Sequence, residues 1–322
     1  MPTLEDRLAS PDAEVRRLAV LDLPYSDETD DVAPLLVQAL VDPSPTVRAE
    51  AARALEGFES PEVLEALVPL LADAAPEVRE ATAATLGELK ESASAAALLP
   101  WLDHADPFVQ AAALRAVKPL RVAPAFAPAL AALRADAATV RREAVGVLGY
   151  LKRADALPAL TAAAGHDPEP EVRRAAVGAL GFATAADRAS VLPALRAALH
   201  DDTWQVREEA TTTLGKLGDP SAGLALVDRL DDEYWQVRLK AARSLGKLKV
   251  RAAVPGLAAQ LEHPISNLRK EVVIALGEIG DPQALPALEV ALADPDPDVR
   301  KLAKLALTTL SLHAAGARPS QA

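Results

Sequence analysis

Five histidines, six recurring Asp–Arg pairs and two Trp-Gln-Val-Arg tetrapeptides hold most of the groups in this chain that could bind or react. The histidines are His104, His166, His200, His263 and His313. As ligands they would hold a metal ion; as bases they would move a proton. The first four fall at or beside the same turn of a repeating pattern, so their spacing follows the repeat. Repeats displaced by roughly 10 Å, the packing distance of helices, keep His166 and His200 too far apart to share one ion at a ~2 Å ligand distance. They read as polar turn residues. No cysteine occurs, which removes disulfides, thiolate metal sites and thiol nucleophiles and suits a reducing compartment. No Gly-x-Ser-x-Gly elbow, phosphate-cradling glycine loop or dinucleotide fingerprint is present. Carboxylates are too numerous for spacing to single out an acid/base pair. The sequence therefore names no catalytic residue, no metal ligand and no cofactor.

The Asp–Arg pairs are six residues apart: Asp42/Arg48, Asp73/Arg79, Asp167/Arg173, Asp201/Arg207, Asp232/Arg238 and Asp294/Arg300. The residue before the Arg serves as a ruler, falling at Val15, Val47, Val78, Val109, Val140, Val172, Val206, Val237, Leu268 and Val299. Steps of 31 to 34 residues separate them, a period that means stacked supersecondary units. Carboxylates that recur in step with a fold serve the fold. The Asp is expected to accept N–H groups near the start of the next helix, and the Arg to bond either that Asp or the neighbouring unit's loop.

The elements that position these groups are legible in residues 268–299. Leu268 to Ile279 carries apolar residues at helical spacing, and Gly280-Asp281-Pro282 ends it, glycine suiting the left-handed position after a helix. Ala284 to Leu292 reads as a second helix with Pro286 in its first turn, where a missing N–H costs nothing. Each unit is thus a pair of antiparallel helices. Ala four residues after the ruler and Leu eight after it recur as Ala51/Leu55, Ala144/Leu148, Ala176/Leu180, Ala210/Leu214 and Ala241/Leu245. The alanines allow close helix approach and the leucines fill the groove. One pair cannot bury its apolar stripe alone, so neighbours are needed on both sides.

The phrase Asp-Pro-x-x-x-Val-Arg-x-x-Ala-x-x-x-Leu-Gly followed by Gly-Asp-x-x-Ala-x-Pro-x-Leu resembles the HEAT repeat family, most closely the short HEAT-like type named after phycobilisome lyases. The resemblance runs from about Leu4 to Leu312. It implies an all-α fold, a right-handed α-solenoid of about ten two-helix repeats. Residues 1–312 would form a single array with capping first and last repeats, and residues 313–322 a flexible tail. Family members include adaptors, chaperone-like proteins and a few enzymes. The His-Glu dipeptides that hold iron in HEAT-like deoxyhypusine hydroxylases are absent here.

Charge narrows the partners. The net charge is −12, and residues 1–100 hold 20 Asp/Glu against 7 Lys/Arg, while the remainder holds 26 against 27. That field disfavours nucleic acid, whose phosphates dominate affinity, and anionic membrane; a basic partner segment would face residues 1–100. DNA-glycosylase-like HEAT proteins use a strongly basic inner surface, which this composition lacks. No secretory leader or bilayer-length apolar stretch is visible, and a cytoplasmic location is expected.

Residues out of step with the repeat are the candidates for work. Trp204 and Trp235 stand where other units carry Pro45, Pro76, Pro107, Pro170 and Pro297, and Tyr234 lies beside the second. They read either as covers for the joint between units or as contact anchors, for which Trp is favoured. The resemblance places the Val-Arg helix on the concave surface, where the residue two after the ruler would face a partner. Arg142, Arg174, Glu208, Leu239 and Lys270 are in that row, with Arg17, Glu80 and Lys301. The expected function is a non-catalytic scaffold or adaptor that binds a protein partner on its concave surface. The alternative is a lyase- or chaperone-like protein holding a prosthetic group in the concavity; if the chain is an enzyme, the resemblance implies a phycobilin-lyase-like one.

Overall fold

Alanine, leucine and valine dominate the apolar residues and only 3% of the chain is aromatic, so close packing here means small side chains on helices. The computed structural model describes residues 3–25 and 31–316. Among them there are only α-helices, short 3-10 turns and the connections between them. Of the acidic run Asp27-Glu28-Thr29-Asp30-Asp31, which stands where other repeats carry Gly-Asp, residues 27–30 lie outside the described residues.

The chain divides into two compact units, Met1–Leu151 and Lys152–Ala322. The first holds α1 (Leu4–Leu8), α2 (Ala13–Asp22), α3 (Ala33–Ala39), α4 (Pro45–Ala54), α5 (Pro61–Leu67), α6 (Pro76–Gly87), α7 (Ala95–Leu98), α8 (Pro107–Val117), α9 (Phe126–Ala132) and α10 (Ala138–Leu151). The second holds α11 (Leu157–His166), α12 (Pro170–Ala179), α13 (Arg188–Ala198), α14 (Trp204–Leu217), α15 (Gly223–Val227), α16 (Trp235–Lys247), α17 (Val254–Ala259), α18 (Ser266–Ile279), α19 (Leu285–Ala291) and α20 (Pro297–Gly316). Every even-numbered helix carries one ruler residue. Within each unit the even helices pack in a row, each on the next, and the odd helices lie behind them. Each unit is an α-solenoid of stacked helix pairs.

The tightest helix pair differs from the expected one. Most odd helices pack more closely on the even helix that follows them than on the one before, as α3 on α4, α9 on α10 and α19 on α20. The turn between them is closed by its own hydrogen bonds, as Ser44 N–H to Asp42 and Thr203 N–H to Asp201. Several odd helices also change to 3-10 winding near a proline: Val68–Ala72 contains Pro69, and Leu99–Trp101 contains Pro100. Proline has no N–H to give to an i−4 carbonyl.

The ruler residues from Val47 to Val299 are fully buried and Val15 in the first repeat is half-buried; the alanines and leucines four and eight residues after the ruler, including Ala51, Leu55, Ala210, Leu214, Ala241 and Leu245, are buried as well. Glycine nine residues after the ruler permits the closest approach. A Cβ on Gly215 would stand 2.2 Å from Ser244 Oγ, and one on Gly246 would stand 2.8 Å from Ala275 Cα. Ser244 Oγ donates to Thr211 O across that contact at 2.8 Å, and Thr85 Oγ1 donates to Ala52 O in the same way. Such bonds satisfy hydroxyls that burial would otherwise penalise. Gly218 and Gly280 take φ +69° at the ends of α14 and α18, as the sequence predicts for Gly280. Arg121, Lys152 and Lys249 occupy the same repeat position with φ of 52–54°. α20 continues to Gly316, four residues beyond the expected end at Leu312; residues 317–322 lie outside the described residues.

Candidate functional site

The Asp–Arg ladder has a direction. Arg48 donates Nη1 back to the carbonyls of Asp42 and Pro43 in its own turn, at 2.9 and 3.2 Å. Its Nε and Nη2 reach forward to the carboxylate of Asp73 in the next repeat, both at 2.8 Å. Arg16 binds Asp42, Arg173 binds Asp201, Arg207 binds Asp232 and Arg269 binds Asp294 by the same fork. Each Asp also accepts the N–H two residues on, as Asp73 does from Ala75 and Asp294 from Asp296. Of the two bonding modes open to the Arg, the ion pair goes to the next repeat, and the Asp six residues before it contributes its backbone carbonyl. Arg16, Arg48 and Arg269 hold the carboxyls of Asp42, Asp73 and Asp294 below the usual carboxylate range. For Asp201 and Asp232 burial pushes upward, and the bonds from Arg173 and Arg207, the turn N–H groups and the nearby arginine charges together outweigh it.

The out-of-step turns use substitutes. His104 and His263 stand in the Asp position, and each accepts the N–H two residues on through Nδ1, from Asp106 at 3.0 Å and Ile265 at 3.1 Å. Burial, with Arg238 and Arg269 nearby, pushes the His263 imidazole down toward its neutral form, which keeps Nδ1 an acceptor. Arg79 finds Asp106 instead, at 3.2 Å. Gln110 donates to Leu102 O, and Arg238 donates to Asp232 O and Gln260 Oε1. Among the described residues no three of the His, Asp and Glu side chains are grouped to hold a metal ion.

The aromatic residues come together in the second unit. Trp204 at the start of α14 stacks on Tyr234 of the next repeat, with centroids 5.3 Å apart and planes 15° from parallel. Arg207 lies over the same Tyr234 ring at 5.7 Å. Trp204 and Trp235 are half-buried, and Tyr234 is exposed. The expected row two after the ruler is largely tied up by ion pairs. Arg142 reaches Glu143 at 3.1 Å, Arg174 reaches Glu171 at 2.9 Å, and Lys240 reaches Glu208 at 3.8 Å. Lys270 holds Asp296 and Asp298, both at 3.2 Å. Arg174 is exposed; Arg142, Glu208, Leu239 and Lys270 are half-buried. The structure joins Trp204 to Tyr234 and leaves the rest of the row as separate positions along successive helices.

A second row of ion pairs, three residues after the ruler, escaped the sequence reading. Glu143 is buried and receives Arg115, Lys118 and Arg142; burial raises its carboxyl, and the three cations bring it below the usual range. Glu271, also buried, receives the fork of Arg243 at 2.9 and 2.6 Å. Arg115 and Arg243 both stand six residues after their ruler. That register was the available signal: Arg at one offset and Glu at another in the next repeat.

The family profile for HEAT repeats matches residues 1–81, 33–118, 65–138, 126–192, 183–234 and 223–308. No curated protein sequence matches the chain. Among solved structures, an engineered protein is 21% identical over 96% of this chain and 98% of its own, with a TM-score of 0.54. The Escherichia coli protein YibA is 19% identical over 94% and 98%, with a TM-score of 0.55. Yeast importin-β, Kap95p, is 18% identical over 98% of this chain, with a TM-score of 0.64. The chain spans 49% of that importin-β structure. At these identities the likeness is one of fold. Among the described residues no helix is long and apolar enough to cross a membrane.

Proposed function

The chain belongs to the HEAT repeat family, and from that premise we propose that it is a non-catalytic scaffold whose row of even-numbered helices binds a protein partner. The observation that carries this reading is the stack of Trp204 on Tyr234, with Trp204 and Trp235 standing where other repeats carry proline. Aromatic side chains flanked by charged groups are the composition of binding anchors. Kap95p, a fold relative, binds RanGDP and induces its switch loops to adopt the GTP-bound conformation, which supports a protein as the ligand class. The charge distribution supports a partner with a basic segment facing the acidic residues 1–100. The ruler period continues from Val140 to Val172 at 32 residues, and a single array over residues 1–312 is part of the same proposal, with the partner on its concave face.

The test is purification from the native host, followed by binding of any copurifying polypeptide to Leu239→Ala and Trp235→Ala variants of unchanged thermal midpoint. Loss of binding in these variants supports the surface. A coloured or metal-bearing preparation without a bound polypeptide would overturn it in favour of a prosthetic-group carrier.

A further inference from the structure

The second ion-pair row has one gap. In two repeats the carboxylate three after the ruler receives an arginine from the preceding repeat, six after that repeat's ruler: Arg115 to Glu143 and Arg243 to Glu271. Glu50, with Leu21 in the arginine's place, is served by Arg17 at 3.3 Å and Arg53 at 3.8 Å. Glu209 is the fourth carboxylate at this position, and the residue in the arginine's place is Gly178. Among the described residues Glu209 takes no hydrogen bond and no ion pair. Its Oε1 lies over the glycine, 2.9 Å from where a Cβ would stand. Where Arg115 and Arg243 carry their stems Gly178 carries none, and the Glu209 side chain itself folds over that position; its half-buried carboxylate takes no guanidinium of the kind that Glu143 and Glu271 receive. Burial raises that carboxyl above the usual range, the opposite of Glu143.

We propose that Glu209, folded over Gly178, is a binding site for an arginine side chain supplied by a protein partner. The inference rests on the reading of the even-helix row as a partner surface and names the chemistry of one contact. Neighbouring charges do not oppose it. Arg174 is held by Glu171 and Lys240 lies by Glu208; with Lys216, these three cations balance Glu171, Glu208 and Glu209. A forked guanidinium fits better than an ammonium, because Arg243 shows the carboxylate at this position taken at both oxygens.

The test uses the full chain, argininamide as the probe and the neutral isostere citrullinamide as the control. Glutamate carboxyl signals are followed by 13C NMR at low salt. Argininamide is expected to shift the Glu209 signal and lower its titration midpoint, with citrullinamide silent. Glu209→Gln is expected to weaken argininamide binding about tenfold, the loss of one charge-assisted contact. Gly178→Arg supplies the guanidinium within the chain; it is expected to raise the thermal midpoint and abolish the argininamide response. An argininamide response equal in wild type and Glu209→Gln, or a Gly178→Arg chain that responds like wild type, would overturn the site. A partner that binds wild type and Gly178→Arg equally removes this contact and leaves the scaffold reading standing. Absence of any partner with a normal argininamide response does the reverse.

Discussion

Replacing Asp294 by Ala strips Arg269 of two bonds, at 2.7 and 2.8 Å, and leaves the Asp296 N–H without its acceptor. The side chains of Arg269 and Asp294 are only 9% and 7% exposed. Removing one partner of a buried pair costs about 3–5 kcal/mol. Arg269 keeps the carbonyls of His263 and Pro264 through Nη1, which places the cost at the low end, about 3 kcal/mol. The pair Arg79–Asp106 is a built-in control, because its side chains are 27% and 37% exposed and its contact is 3.2 Å. Exposed pairs contribute about 0.2–1 kcal/mol. Double-mutant cycles separate these pair energies from the turn bond each Asp also makes. With Arg269→Met and Asp294→Ala the coupling measured by urea unfolding should be about 3 kcal/mol; with Arg79→Met and Asp106→Ala it should be about 0.5 kcal/mol. Equal couplings, or the reverse order, would refute the view that burial and forked geometry set the strength of each rung.

The ladder carboxyls of Asp42, Asp73, Asp201, Asp232 and Asp294 titrate below their unfolded range. Their stabilisation is complete above the unfolded value of about 3.9 and is lost as pH falls through the lower folded values, so the thermal midpoint should drop steeply below about pH 4. Glu209 has the opposite sign. Its ionised form costs stability above the unfolded glutamate value of about 4.3, so Glu209→Gln should raise the thermal midpoint at pH 7 and leave it unchanged at pH 3. Gly215→Ala drives a Cβ to 2.7 Å from Ser244 Cβ and should destabilise by about 1–3 kcal/mol in urea unfolding. Trp204→Ala removes the stack on Tyr234 and should cost about 0.5–1.5 kcal/mol beyond the apolar area lost, read from the same unfolding curves.

The helix pairs and the burial of Val, Ala and Leu at fixed offsets were readable from the repeat, because each recurs about ten times and noise cancels. The direction of the ladder was not. Arg48, Arg173 and Arg207 each lie six residues after one Asp and 25 or 28 before the next, so both partners recur with the same period, and only geometry shows that the fork reaches forward. His104 and His263 read as polar turn residues, and their role as Nδ1 acceptors needed the turn itself. The closer packing of most odd helices on their successors also lay beyond the pattern, since a period does not say where one unit ends. Glu209 is the reverse case. Its register was present in the sequence, but a carboxylate opposite a glycine carries no signal until Arg115–Glu143 and Arg243–Glu271 show what is missing.

The forward reach of each arginine makes the repeats interchangeable parts with a connector that can be mismatched. Excising residues 201–231 would bring Asp232 to the place of Asp201, so Arg173 would again find a carboxylate and the splice would close. Excising residues 232–262, a cut of the same length, would instead set His263 before Arg207, the single carboxylate that takes its fork would be gone, and the seam would stay weak. Shortening or lengthening such a chain by whole repeats is therefore limited less by the helices than by which side chain greets the incoming guanidinium at the joint.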